Sequence, residues 1–164
     1  MKKLLIYLDT SVINFLFADD APEKRDLTRR FFSEKRDQYD IVISDVVVFE
    51  ISKTTDERRR RLLLDSLRSH ALYVAPLTDV QLSEVEALAE AYLAEGIFPP
   101  RKREDALHVS ITTVLGCDIL LSWNFHHLAN IRKQIRVNAV NERLGYLHRL
   151  NLLTPLEVLD EDED

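Results

Sequence analysis

Four side chains, far apart in a chain of 164 residues, offer oxygen donors at places where a fold could gather them. Asp9 ends the run LLIYLD, Glu50 sits in SDVVVFEI, Asp105 opens REDALHVS, and Asn124 follows DILLSW. Carboxylates crowded together raise one another's pKa until some take up protons, and a divalent cation removes that conflict. Oxygen donors completed by water suit Mg²⁺ or Mn²⁺, whereas zinc calls for clustered His and Cys. The five histidines are scattered, and the one cysteine, Cys117, lies in the apolar stretch LGCDILL. His126 and His127 are adjacent instead of one helical turn apart, so they read as surface residues; His108, one turn after Asp105, reads as packed behind it. Taken singly, each donor has a plainer role. Asp9 could cap a helix, as could Thr10 or Ser11; Asp105 could favour a helix N-terminus; Glu50 could lie on a solvated face; Asn124 could be a loop residue. Their order along the chain, each at a strand end or in the helix that follows, is what points to one shared centre.

The elements that must position these donors are legible as apolar runs. Strand-like runs occur at Lys3–Leu8, Ile41–Ser44, Leu72–Ala75, Asp118–Ser122 and, more weakly, Leu150–Leu153. Between them the periodicity is helical: through residues 22–36, after TTDERRRR, through TDVQLSEVEALAEAYLAEG, and from REDALHVS to a stop at Gly116. Alternating strands and helices predict a layered α/β fold with a mostly parallel central sheet. In such sheets ligands bind beyond the C-terminal strand ends, which is where Asp9 lies. A doubly wound strand order would bring all four donors to one edge.

Composition bounds the rest. The apolar share of 46% is ordinary for a globular domain, and the length suits a single domain with a sizeable core. No apolar run is long enough for a membrane helix, and no signal-peptide pattern follows the N-terminus, so the expected address is cytoplasmic, without membrane attachment. Of the net charge of −6, five charges come from the terminal block DEDED, leaving the remainder close to neutral. The expected organisation is one domain over residues 1–158 and a solvated acidic tail over 159–164. Three isolated glycines exclude GxGxxG and GxxxxGK nucleotide loops.

YLDTSVIN, ISDVVVFEI, REDALHVS and LLSWNFHHL resemble the successive motifs of PIN-domain nucleases, particularly the VapC-like toxins of bacterial toxin–antitoxin pairs. The end, RVNAVNERLGY…LLTPLEVL, is similar to that family's closing helix and strand, so the resemblance spans nearly the whole chain. It implies a three-layer α/β/α domain with strand order 3-2-1-4-5, and a Mg²⁺- or Mn²⁺-dependent endoribonuclease leaving 5′-phosphate and 3′-hydroxyl ends. Asp9, Glu50 and Asp105 would be the metal carboxylates, Asn124 a fourth catalytic position, and Thr10, Ser11 and Ser122 supporting hydroxyls behind them. It also implies an RNA substrate, a small antitoxin partner and a possible homodimer. Many members carry an aspartate where this chain has Asn124, and an amide offers an oxygen without charge. That departure favours one firmly held ion and leaves open a PIN-like scaffold that binds RNA or protein without cutting.

Phosphate contacts dominate nucleic-acid affinity. Arg101, Lys102 and Arg103 precede Asp105, and Arg132, Lys133 and Arg136 follow Asn124, so these two basic runs are the candidate RNA contacts. Arg58–Arg61 reads as a solvated helix face, and of Trp123 and Phe125 at least one should be core. Rival folds with an Asp after the first strand fit less well: a haloacid-dehalogenase-type phosphotransferase needs a second Asp where Ser11 stands, and a receiver module needs one at the third strand's end, where only the late Asp79 is offered.

Overall fold

The computed structural model describes residues 2–125 and 127–160. Met1, His126, the side chains of His127, Leu128 and Ala129, and residues 161–164 of the acidic block lie outside the described residues. Five strands, β1 (Leu4–Leu8), β2 (Tyr39–Ile43), β3 (Tyr73–Val74), β4 (Ile119–Leu121) and β5 (Asn151–Leu153), form one sheet of order β3-β2-β1-β4-β5 in which every pairing is parallel. A parallel sheet is covered on both faces, so its central strands are apolar throughout rather than alternating. Ile6, Tyr7 and Leu8 of β1 are accordingly fully buried, as are Leu120 and Leu121 of β4.

Among the described residues eight α-helices supply the covering layers: α1 (Thr10–Phe15), α2 (Pro22–Arg30), α3 (Asp45–Ser52), α4 (Glu57–Ser69), α5 (Asp79–Ala94), α6 (Arg103–Val114), α7 (His127–Arg143) and α8 (Pro155–Asp160). Local signals explain their limits. Thr78 and Gln81 close a capping box at the start of α5. Gly96 and Gly116 take left-handed φ of 71° and 70° just past α5 and α6, where a side chain would be strained, and Ile97 N–H and Cys117 N–H reach back to the Tyr92 and Thr112 carbonyls. The helix expected over 22–36 is divided: α2 ends at Arg30, a π-helical turn covers Phe31–Lys35 and a 3₁₀ turn Arg36–Gln38. Phe31, Phe32 and Lys35 are buried along the π turn.

Cys117 is 1% exposed, with burial first and Asp118 second pushing its thiol up to about 12; it is a core residue. α8 includes Leu159, which is buried, and Asp160, which is exposed. Among the described residues no helix is long and apolar enough to cross a membrane.

The strand order reverses at β1: the chain moves outward through β2 and β3, then crosses to β4 on the other side. The crevice at the C-terminal ends of β1 and β4 is therefore the topological switch point, where ligands bind in open α/β sheets. Asp9 follows β1 and Ser122 follows β4, and Asp9 N–H donates to the Leu121 carbonyl (3.2 Å) across that boundary.

Candidate active site

A cleft of about 260 Å³ opens at this switch point, lined by Asp9, Thr10, Ser11, Asn14, Phe15, Glu50, Glu104, Asp105, His108 and Asn124. Asp9, Glu50, Asp105 and Asn124 thus reach one cleft from β1, α3, α6 and the loop after β4. Thr10 and Ser11 line it too, and Ser122 stands behind it.

Two hydrogen-bonded assemblies build its walls. The first begins at Asp9, the N-cap of α1: Ser11 donates to Asp9 Oδ1 from its N–H (3.0 Å) and its hydroxyl (2.5 Å). Ser11 Oγ in turn accepts from Trp123 N–H (2.9 Å) and lies 3.4 Å from Ser122 Oγ. Ser122 Oγ accepts from Asn124 N–H (3.0 Å), and the exposed Asn124 amide donates to Asp105 Oδ1 (3.3 Å). Asp9 is therefore both a helix cap and a cleft carboxylate. It is 3% exposed, and burial raises its pKa, with the Asp105 charge adding to the rise against the opposing pull of His108, Ser11 and Ser122.

The second assembly is deeper and was only half anticipated. His108 Nε2 lies 2.8 Å from Glu50 Oε1, His108 Nδ1 lies 2.8 Å from the Tyr7 hydroxyl, and that hydroxyl lies 2.7 Å from Ser44 Oγ. Tyr7, Ser44 and His108 are all buried. Burial acts to raise the Glu50 pKa, but the hydrogen bond and charge of His108, with Thr10 and Lys53, outweigh it and leave Glu50 below the usual value. An ionised carboxylate only accepts, so Nε2 carries the proton and donates to Glu50. For His108 burial acts downward, and Glu50, Asp9 and Asp105 together raise its pKa. Nothing local in the sequence ties Tyr7 or Ser44 to this network. Their only signal is that each lies next to the last residue of a strand, Tyr7 before Leu8 and Ser44 after Ile43.

The donor set fits a hard divalent cation. Every cleft carboxylate is an oxygen donor, Asp9 is a buried carboxylate whose charge burial penalises, and the Thr10 hydroxyl is buried beside Glu50 without a well-formed hydrogen bond. Among the described residues no three His, Cys, Asp or Glu side chains close into a ligand cluster. Such an open arrangement matches an ion that keeps several of its waters, as Mg²⁺ does, in a cleft with room for them.

The basic runs separate. Arg101 and Lys102 are exposed, Arg103 pairs with Glu90 (2.5 Å), Arg132 is exposed, and Arg136 donates to the Glu95 carbonyl (2.5 Å). Lys133 lies half-buried over the Phe98 and Phe125 rings, and burial, with the Lys102 charge, lowers its pKa against the opposing pull of Asp105. In the run Arg58–Arg61, Arg59 donates to the Phe17 and Asn14 carbonyls, Arg60 to that of Thr54, and Arg61 pairs with Glu57. Trp123 and Phe125 are both core, at 9% and 6% exposure, so neither face is free for stacking.

The PIN domain family model matches residues 6–133. A search of curated proteins finds no match. Among solved structures, the chain is similar to one in the crystal structure of VapBC2 from Rickettsia felis bound to a DNA fragment from their promoter, with a TM-score of 0.60, 15% identity, and coverage of 92% of this chain and 98% of that one. At that identity the likeness is one of fold.

Proposed function

The chain belongs to the PIN-domain family, and from that premise we propose that it is a Mg²⁺- or Mn²⁺-dependent endoribonuclease, the toxin of a toxin–antitoxin pair. The observation that carries this reading is the meeting of Asp9, Glu50 and Asp105, from three separate elements, in one cleft at the switch point of the sheet. These carboxylates would hold the ion. Bound there, it would supply Lewis acidity for hydrolysis of a phosphodiester. The protein's own contribution is positional. Ser11 and Ser122 fix Asp9, His108 fixes Glu50, and Asn124 steadies Asp105 while adding no charge.

A partner peptide also has a place in this reading. A groove of about 320 Å³, lined by Leu16, Phe17, Arg29, Phe32, Ser33 and His70, continues through Phe17 and Arg29 into a second of about 300 Å³ beside Arg58, Arg59 and Leu62. The VapBC2 complex, whose chain shares this fold, supports an antitoxin as the partner.

The test is cleavage of structured and unstructured RNAs by the purified chain in Mn²⁺, Mg²⁺ or chelator, beside Asp9→Asn. Asn keeps the cap, so the variant should melt in chelator at or above the wild-type temperature, relieved of a buried charge, while cleavage falls at least about a hundredfold. Metal-dependent cutting retained by Asp9→Asn refutes the site. An intact chain that binds no divalent ion and cuts nothing is the scaffold.

A further inference from the structure

Asn124 sits between two aromatic residues that pack against different elements. Trp123 packs toward α1 and α2, where its ring lies 6.0 Å from that of Phe15 and its Nε1–H donates to Thr28 Oγ1 (2.8 Å). Phe125 shares a cation with Phe98, ahead of α6. Each ring carries a lysine. Lys24 Nζ lies 5.2 Å from the Phe15 centroid and 5.6 Å from that of Trp123; Lys133 Nζ lies 4.7 Å from Phe98 and 5.8 Å from Phe125. Two ammonium groups, from α2 and α7, thus lie over the two rings that bracket Asn124 in sequence. Both are tied to the cleft through neighbouring rings: Phe15, which lines it, lies beneath Lys24, and Phe125, next to the cleft-lining Asn124, lies beneath Lys133. Among the described residues neither lysine closes a salt bridge with a carboxylate, although this chain spends many of its arginines on such pairs or on carbonyls. Holding a lysine over aromatic faces removes much of its rotational freedom before any ligand arrives, so less is lost when an anion docks.

Resting on the nuclease reading above, we propose that Lys24 and Lys133 are a pair of backbone-phosphate contacts for single-stranded RNA beside the acidic cleft. An acidic cleft repels a phosphodiester chain; cations placed immediately outside it hold the neighbouring phosphates and leave the central one facing the carboxylates. Because Trp123, Phe125 and Phe98 are buried beneath the lysines, these contacts read the backbone and not the bases.

The experiment uses the full wild-type chain in chelator, so that cutting plays no part, with a fluorescently labelled unstructured oligoribonucleotide followed by anisotropy across a salt series. Each phosphate contact to a single strand contributes about 0.7 to the slope of log K against log salt. Lys24→Met and Lys133→Met should each flatten the slope by that amount, which is about fivefold in affinity at about 0.1 M salt, and the double variant by twice as much. Lys24→Arg and Lys133→Arg should restore it. Methionine covers the same rings, so the variants keep the fold. Arg149→Met removes one charge beside His148, at the opposite end of the sheet, and should leave the slope unchanged. Slopes indistinguishable from wild type in both methionine variants overturn the proposal, as does loss of an acidic peptide's binding with RNA affinity intact. The two readings fail separately. Slopes that flatten in a chain unable to cut in Mn²⁺ sink the nuclease and keep the lysines, and cutting with unchanged slopes does the reverse.

Discussion

Tyr7→Phe removes one oxygen from the deepest part of the site, and its cost can be worked from the contacts. The hydroxyl has two partners, Ser44 Oγ at 2.7 Å and His108 Nδ1 at 2.8 Å, and both partner residues are buried. Ser44 has no capping bond to fall back on at the start of α3, so its hydroxyl is orphaned. Leaving a buried polar group unsatisfied costs about 1–3 kcal/mol, and two such groups less a small gain from the more apolar ring come to roughly 2–4 kcal/mol. In a domain of this size that lowers the melting temperature by roughly 5–12 °C. Urea unfolding in chelator measures it, and a double-mutant cycle with Ser44→Ala isolates the pair. Removing both hydroxyls leaves only His108 Nδ1 unpaired, so the double variant should recover about 1 kcal/mol of the summed single losses. The same loss should weaken Mn²⁺ binding, because Tyr7 holds the imidazole that holds Glu50. A Tyr7→Phe chain within about 0.5 kcal/mol of wild type, or a coupling energy near zero, would show that the buried chain of hydrogen bonds does not carry the load assigned to it.

Three further outcomes follow from other parts of the molecule. Asn124→Asp sets a second carboxylate against Asp105, so the apo chain should lose about 1 kcal/mol, while calorimetry with Mn²⁺ should show a second ion or tighter uptake; unchanged stoichiometry and stability would contradict the role given to the amide. Ala71 holds a φ of 50° just past α4, with Leu72 N–H returning to the Leu67 carbonyl, so Ala71→Gly should raise the urea midpoint by about 0.5–1 kcal/mol equivalent. His70 stacks on Phe32 (4.3 Å), and burial, then the Arg36 charge, lowers its pKa below 6.5. The folded chain therefore binds this proton less readily than the unfolded one. Its contribution is full above 6.5 and is lost as pH falls through the lower folded value, so the stability difference between wild type and His70→Gln should shrink on acidification; a constant difference argues otherwise.

The donors were legible because each is announced locally. An apolar run that stops on Asp9, a Pro pair and basic run ahead of Asp105, and an apolar stretch before Asn124 are all read within a few residues. The strands followed for the same reason, each found within two residues of its expected ends. The His108–Tyr7–Ser44 network was not legible, since it joins residues 101 and 37 positions apart through side chains that look like ordinary core. Lys24 was invisible for a related reason. Its neighbours in sequence are charged helix-face residues, and only the fold lays it over Trp123. The short helices α1 and α8 escaped notice because six residues show less than two turns of periodicity, and the division after Arg30 because a π turn has no sequence period of its own.

The two wall assemblies differ in a way that bears on how the cleft works. Glu50 is gripped from below by a chain of buried groups running from α6 through β1 to the end of β2, all rigid elements, so its carboxylate is held in place, and His108 keeps its pKa below the usual value against burial. Among the described residues the Asp105 side chain is held only by the exposed amide of Asn124, at 3.3 Å, from a loop. An ion entering this cleft would meet one anchored carboxylate, one buried helix-capping carboxylate in Asp9, and one able to shift. That asymmetry leaves Asp105 the least constrained of the three acids. It explains why an amide at position 124 is tolerable. A second carboxylate there would repel Asp105 whenever the ion is absent, whereas the amide holds it in reach.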